Sequence, residues 1–119
     1  YPVRITRRVR DEVAYDRPTW KVDVSPEVAG RRVAVVDEMA DTGETLRLVR
    51  DRVAELGAAE VVTATLVQHS WADPAPDYAG LISDALVMFP WDQQVLVDGS
   101  WQLHPELVQA LEAQGGKGA

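Results

Sequence analysis

Nine consecutive residues, Asp37-Glu38-Met39-Ala40-Asp41-Thr42-Gly43-Glu44-Thr45, concentrate the chemistry of this sequence: four carboxylates, two hydroxyls and a glycine. Gly43 lets backbone come close to a ligand, and amides from Asp41 to Thr45 at a helix start are unpaired donors that, with the helix dipole, favour a phosphate. The hydroxyls of Thr42 and Thr45 add two donors. Asp37 and Glu38, side by side at a strand end, suit hydrogen bonds from a vicinal diol such as that of ribose, and reach a Mg2+ ion directly or through water. A plain helix cap, with Asp41 as N-cap and Glu44 completing a capping box, accounts for part of this pattern. It does not account for the acid pair and the glycine together.

The elements on either side must hold these groups at one place. Val33-Ala34-Val35-Val36 is apolar without alternation, as in a strand covered on both faces of a parallel sheet, and is expected to be central. Leu46, Val49, Val53 and Leu56 form one apolar stripe among charged residues, which predicts a helix stopped at Gly57. Glu60 to Val67 is β-branched and reads as the next strand, completing a right-handed βαβ unit. In open α/β sheets ligands bind beyond the carboxyl ends of the strands, where this acidic loop falls.

Upstream, Tyr1 to Val9 reads as a strand with a wet face, Asp11 to Pro18 as a mobile loop, and Trp20, Val22 and Val24 as a short strand. Downstream, a loop carrying Pro74 and Pro76 leads to the apolar run Ala85 to Phe89, closed by Pro90, in which Val87 and Phe89 are expected core. Leu103 to Leu111 suits a short helix with Pro105 in its first turn, and Gly115 to Ala119 a frayed end.

At 119 residues, 46% hydrophobic and 26% charged, the chain suits one globular domain, 1–119. Its net charge of −7 argues against nucleic acid or an anionic membrane as partner, so a phosphorylated ligand must be held locally. There is no cysteine, hence no disulfide or thiolate metal site, which is compatible with a cytoplasmic protein. No apolar stretch approaches the roughly 18 residues of a membrane span. Tyr1 is not a start methionine, and the two methionines are Met39 and Met88, so an N-terminally incomplete protein is expected.

The run VAVVDEMADTGETL, Val33 to Leu46, resembles the signature of type I phosphoribosyltransferases: four apolar residues, two acids and a DTGxT loop. AELGAAEVVTATL, the PDY at Pro76 to Tyr78 and SDALVMFPWD ending at Asp92 resemble the purine branch, of the hypoxanthine and xanthine-guanine kind. The likeness covers 1–92 and leaves 93–119 as a C-terminal extension. It implies an α/β fold with a central parallel sheet flanked by helices. It also implies Mg2+-dependent transfer of phosphoribose from phosphoribosyl pyrophosphate to a nitrogenous base, a purine, in a homodimer. Asp37 and Glu38 would hold the ribose hydroxyls, Asp41 to Thr45 the 5′-phosphate, and Asp41 would face the base as proton acceptor.

The sequence departs from that pattern on the base side. Histidine, His69, stands where the family carries a lysine for the purine's exocyclic oxygen, and Leu86 where an aromatic residue stacks on the base. Trp71 or Trp91 would have to supply that surface, although Trp91 equally suits packing at a sheet edge. The family's pyrophosphate loop, after an earlier strand, has no counterpart in this sequence. The closing loop falls at Arg10 to Thr19, with Arg8, Arg10 and Arg17 as candidates to meet pyrophosphate. These departures leave a second expectation: a module that binds phosphoribosyl pyrophosphate or a nucleotide without turnover.

Overall fold

The computed structural model of the chain describes residues 1–6, 8–9, 12–13 and 18–115, with backbone alone at 8–9 and 12–13. It divides into two compact units, Tyr1–Asp84 and Ala85–Ala119.

In the first unit three parallel strands form the principal sheet: β5 (Arg32–Ala40), β6 (Glu60–Gln68) and β7 (Tyr78–Ile82), in the order β5-β6-β7. A helix, α1 (Glu44–Glu55), connects β5 to β6. Its stripe Leu46, Val49 and Val53 is buried in one cluster with Val24, Val28, Val35, Ala40 and Ala72, as its 3.6-residue spacing predicts. Gly57, with φ +91°, follows the helix, in the left-handed conformation that favours glycine at a helix end.

Two antiparallel pairs complete this unit: β1 (Arg4–Thr6) with β4 (Thr19–Val22), and β2 (Arg8–Val9) with β3 (Glu12–Val13). The single strand expected over Tyr1 to Val9 is thus divided, and β3 lies inside the segment expected to be a loop. Arg10 and Arg17 lie outside the described residues, as does most of the loop expected between Arg10 and Thr19.

The position of β5 differs from the expected one. Among the described strands it is an edge, and β6 is central. Burial alternates along β5: Val35 is buried, while Val36 on the opposite face is 72% exposed and Leu66 of β6 is 52% exposed. Within this unit α1 covers one face of the sheet, so an unbroken apolar run does not have to mean two buried faces. Along one side of β5 a cavity of about 500 Å3 is lined by Tyr1 to Ile5 as well as Val33 to Val36, and reaches Asp37 and Thr45.

Strand β7 falls where a proline-bearing loop was expected. Asp77, in the PDY sequence, anchors its start. Its carboxylate Oδ2 accepts from the Thr63 backbone N–H at 2.8 Å, and its own N–H donates to Thr63 Oγ1 at 2.9 Å. Gly80 is required farther along, because a Cβ there would lie 2.9 Å from the Leu66 carbonyl oxygen.

The second unit holds a hairpin of β8 (Gln94–Val97) and β9 (Ser100–Leu103), followed by α2 (Pro105–Gly115). Asp98 and Gly99 turn the hairpin with φ +47° and +79°, the two positive values that a tight primed turn demands. Leu103 pairs with Gln94, so the helix starts at Pro105 rather than at Leu103. The run Ala85 to Phe89 forms no strand, and Pro90 opens a short 3-10 turn. Val87 and Phe89 are half-buried rather than core, and the Phe89 ring lies flat on Trp91, centroids 4.9 Å apart.

Because the Asp77 carboxylate accepts from both the N–H and the hydroxyl of Thr63, Asp77→Ala is expected to lower stability by about 1–3 kcal/mol. Urea denaturation followed by circular dichroism measures it, and an unchanged midpoint would show that β7 is held by other contacts.

Candidate functional site

The acidic loop begins within β5 and ends in the first turn of α1, so a strand and a helix fix both of its ends. Asp37 and Glu38 are neighbours on a regular strand and leave it on opposite faces. Asp37 is half-buried and Glu38 exposed. The two acids therefore do not converge from one side.

Desolvation pushes the Asp37 carboxyl above the ordinary aspartate range, partly offset by the Glu38 backbone N–H that it accepts at 2.8 Å. Its register partner on β6 is Thr65, which places both side chains on one face of the sheet. Thr65 is 6% exposed, and its hydroxyl has no hydrogen-bond partner. A carboxylate and a hydroxyl, both underserved by the protein, thus occupy adjoining positions. The sequence hid Thr65 because an isolated threonine in a β-branched strand looks like a strand former; register brings it beside Asp37.

Gly43 has φ +88° and is the N-cap of α1, with no side-chain hydrogen bond capping the helix there. The capping box expected from Asp41 and Glu44 does not form. Thr42 Oγ1 instead accepts from the Glu44 N–H at 3.3 Å, and Asp41 is engaged elsewhere. Beyond the Glu44 N–H, amide donors at the first turn of this 12-residue helix are available to an anion, because the N-cap glycine has no side chain to cap them. Asp41, Thr42 and Thr45 are exposed, Glu44 is half-buried and Gly43 buried.

Gly43 is buried because a second loop lies on it. A Cβ at this position would stand 2.6 Å from the Pro74 carbonyl oxygen and 3.0 Å from the Asp73 carbonyl carbon. Hydrogen bonds join the same two loops: Asp73 N–H to the Thr42 carbonyl at 2.9 Å, and His69 N–H to the Ala40 carbonyl at 3.0 Å. Trp71 adds a side-chain link, its indole Nε1–H donating to Asp41 Oδ1 at 2.8 Å.

His69 is 8% exposed, so it is buried rather than solvent-facing. Its Nδ1 lies 2.6 Å from the Ser83 carbonyl oxygen, which can only accept, so Nδ1 carries the proton. In the neutral ring Nε2 is then an acceptor. Donation to an exocyclic oxygen, as a lysine would perform it, requires the doubly protonated ring. The His69 and Trp71 rings stack at 4.5 Å and 17°. Nearby, Ser70 donates its N–H and its hydroxyl to Asp84, each at 2.8 Å, and these bonds hold the Asp84 carboxyl below the usual range.

The structure thus brings Asp37 to Thr45 together with Thr65, His69, Trp71 and the Asp73–Pro74 backbone. Leu86 and Trp91 belong to the second unit, and both are exposed. Of Arg8 only the backbone is described, in β2.

Gly43→Ala forces a Cβ into the Pro74 carbonyl and a left-handed conformation at once, so destabilisation by about 2 kcal/mol or more is expected in thermal unfolding. A variant as stable as the parent would mean that the two loops part without cost. Asp37→Asn has the opposite sign. A carboxyl raised by burial costs stability once ionised, so the variant should melt a few degrees above the parent at about pH 8. That gain shrinks as pH falls through the raised range and vanishes below the ordinary aspartate range, where both side chains are neutral. A pH-independent difference would contradict the desolvation.

The family described as the phosphoribosyl transferase domain matches residues 5–95. The hypoxanthine-guanine phosphoribosyltransferase of Streptococcus pneumoniae is 45% identical over 47 residues, 40% of this chain and 26% of that protein, so the chain spans about a quarter of that relative. The crystal structure of a purine phosphoribosyltransferase from Pyrococcus horikoshii Ot3 superposes with a TM-score of 0.64 at 27% identity, covering 81% of this chain and 61% of that one. The hypoxanthine phosphoribosyltransferase of Trypanosoma cruzi, in complex with the product IMP, gives 0.55 at 16% identity, covering 94% and 59%, a likeness of fold. The parallel sheet, the helix that follows β5 and the acidic loop between them are thus those of a type I phosphoribosyltransferase fold, and the chain belongs to the phosphoribosyl transferase domain family.

Proposed function

We propose that this chain carries the phosphoribose site of a purine phosphoribosyltransferase, which moves phosphoribose from phosphoribosyl pyrophosphate to a nitrogenous base. The observation that carries the reading is the loop from Asp41 to Thr45: a helix start whose N-cap is a glycine held in the left-handed region, with no capping side chain of its own. Family membership and the names of the S. pneumoniae and P. horikoshii relatives support the transfer and the purine.

In this reading the amides of Asp41 to Thr45 and the hydroxyls of Thr42 and Thr45 hold the 5′-phosphate. Asp37 and Glu38 accept from the ribose hydroxyls over the strand end, one from each face. The bond from C1 of the ribose to pyrophosphate oxygen breaks as a bond from base nitrogen to C1 forms, and pyrophosphate leaves with the electron pair. Asp41 faces the base and accepts its proton. The partners are phosphoribosyl pyrophosphate and the base, in a cytoplasmic homodimer.

Mg2+ fits the donors present only in part. Asp37 and Glu38 offer the hard oxygens it prefers, but from opposite faces, and the described residues hold no group of three or more metal-ligating side chains. The residues that would hold it are therefore Asp37 or Glu38, directly or through water, with substrate oxygens completing the shell. When bound it would neutralise charge on the pyrophosphate leaving group.

One observation favours a second reading, binding without turnover: where the family's lysine stands, this chain has His69, whose Nδ1 is taken up by the Ser83 carbonyl. Isotope-labelled phosphoribosyl pyrophosphate, incubated with Mg2+ and a panel of bases, tests both. A labelled nucleoside monophosphate is expected. Binding by calorimetry without any product would move the conclusion to the sensor, and no binding of phosphoribosyl pyrophosphate or any nucleotide would remove both. Replacing Asp37 and Glu38 together by alanine should weaken binding at least about 10-fold, the loss expected of charge-assisted hydrogen bonds.

A further inference from the structure

The geometry points to Trp71 as the residue that presents the base: its indole is the stacking surface, and its N–H holds the Asp41 carboxylate in place beside that surface. This rests on the phosphoribose reading above and adds to it a specificity-determining residue.

Four observations converge on the ring. Its Nε1–H donates to Asp41 Oδ1 at 2.8 Å, which fixes the carboxylate and leaves Oδ2 for a ligand donor. One face is backed by the His69 ring, 4.5 Å away and within 17° of parallel. His69 is itself buried and tied to the Ser83 carbonyl at 2.6 Å, so the backing ring is anchored rather than loose. Yet Trp71 as a whole remains 53% exposed.

A tryptophan held at its edge and on one face, but half open to solvent, is a rigid flat apolar surface at little further entropic cost. Planar heteroaromatic bases bind such surfaces by stacking. The indole edge also marks the direction of the acid: a base lying on the open face has the Asp41 carboxylate beside it, within reach of a ring N–H. Leu86, where the family pattern places an aromatic residue, offers no π-face. Trp71 supplies one from a different loop, one already latched to Thr42 and Gly43 by the Asp73 N–H and the Pro74 carbonyl.

Calorimetry on the full chain tests this with ribose 5-phosphate and with the 5′-monophosphates of guanosine, inosine and adenosine. Trp71→Leu is expected to weaken the tightest of the three nucleotides by about 10- to 100-fold while ribose 5-phosphate stays within about 3-fold, the loss typical of one base-stacking contact. Trp71→Phe keeps a ring without the N–H and should recover most of the nucleotide affinity. In the wild-type chain, the indole N–H resonance absent from Trp71→Phe should shift on adding nucleotide but not ribose 5-phosphate, a readout that does not depend on the leucine variant folding. Equal losses for both ligands in Trp71→Leu would make Trp71 only a latch and overturn the inference. Unchanged nucleotide affinity, or an indole resonance that nucleotide does not move, would overturn it as well while leaving the phosphoribose reading intact. If the wild-type chain binds neither ribose 5-phosphate nor any nucleotide, the phosphoribose reading itself falls and the inference with it.

Discussion

The candidate site depends on one close approach, the backbone of Gly43 against the carbonyl of Pro74. No side chain larger than hydrogen fits between them, since a Cβ would stand 2.6 Å from that oxygen. The contact seats the loop that ends β5 on the loop that ends β6, and three hydrogen bonds from His69, Asp73 and Trp71 seal the pair. The parallel order of β5 and β6 makes this possible, because it brings both carboxyl ends to the same edge of the sheet. The glycine therefore has two duties: it gives the helix start a left-handed residue, and it lets a second loop reach the first.

Much of this was legible in sequence where a residue's type has one physical meaning. Gly43 between hydroxyl and acid residues, the stripe Leu46, Val49 and Val53, and the β-branched Glu60 to Val67 each allow one element, and each is present. Val33 to Val36 misled, because an apolar run fixes a strand but not how many of its faces are covered; Val36 is mostly exposed while Val35 is buried. The Asp98-Gly99 pair between QVLV and SWQL is a local hairpin signal that the sequence does carry. Strand β7 was harder, since Gly80 interrupts a five-residue run and the anchor, Asp77 on Thr63, joins residues 14 apart.

The candidate site was legible in its contiguous segment and less so in the residues that join it, for a structural reason. Asp37 to Thr45 are contiguous, so one segment carries their types and spacing together. His69, Trp71 and Thr65 reach that segment only through sheet register and loop packing, neither of which a linear pattern records. Asp41 illustrates the limit: its spacing to Glu44 fits a capping box, but a tryptophan 30 residues away takes its carboxylate. Local geometry allowed both partners, and tertiary packing selected one.

That selection also bears on the phosphate site proposed for so acidic a chain. With a net charge of −7 and four carboxylates in nine residues, a solvated loop would repel a phosphorylated ligand. The fold spreads those carboxylates apart: Asp41 accepts from an indole N–H, and Asp37 and Glu38 leave opposite faces of β5. What faces a ligand at the helix start is then backbone amide and hydroxyl, whose partial charges are positive whatever the net charge of the chain. Local dipoles at contact distance act undiluted, whereas the chain's net charge is screened beyond about 8–10 Å at physiological salt. Asp37 and the unpartnered Thr65 hydroxyl on its sheet neighbour remain the least satisfied part of the arrangement. Thr65 has no partner and Asp37 accepts from the Glu38 N–H, which leaves both open to a ligand carrying its own donors and acceptors.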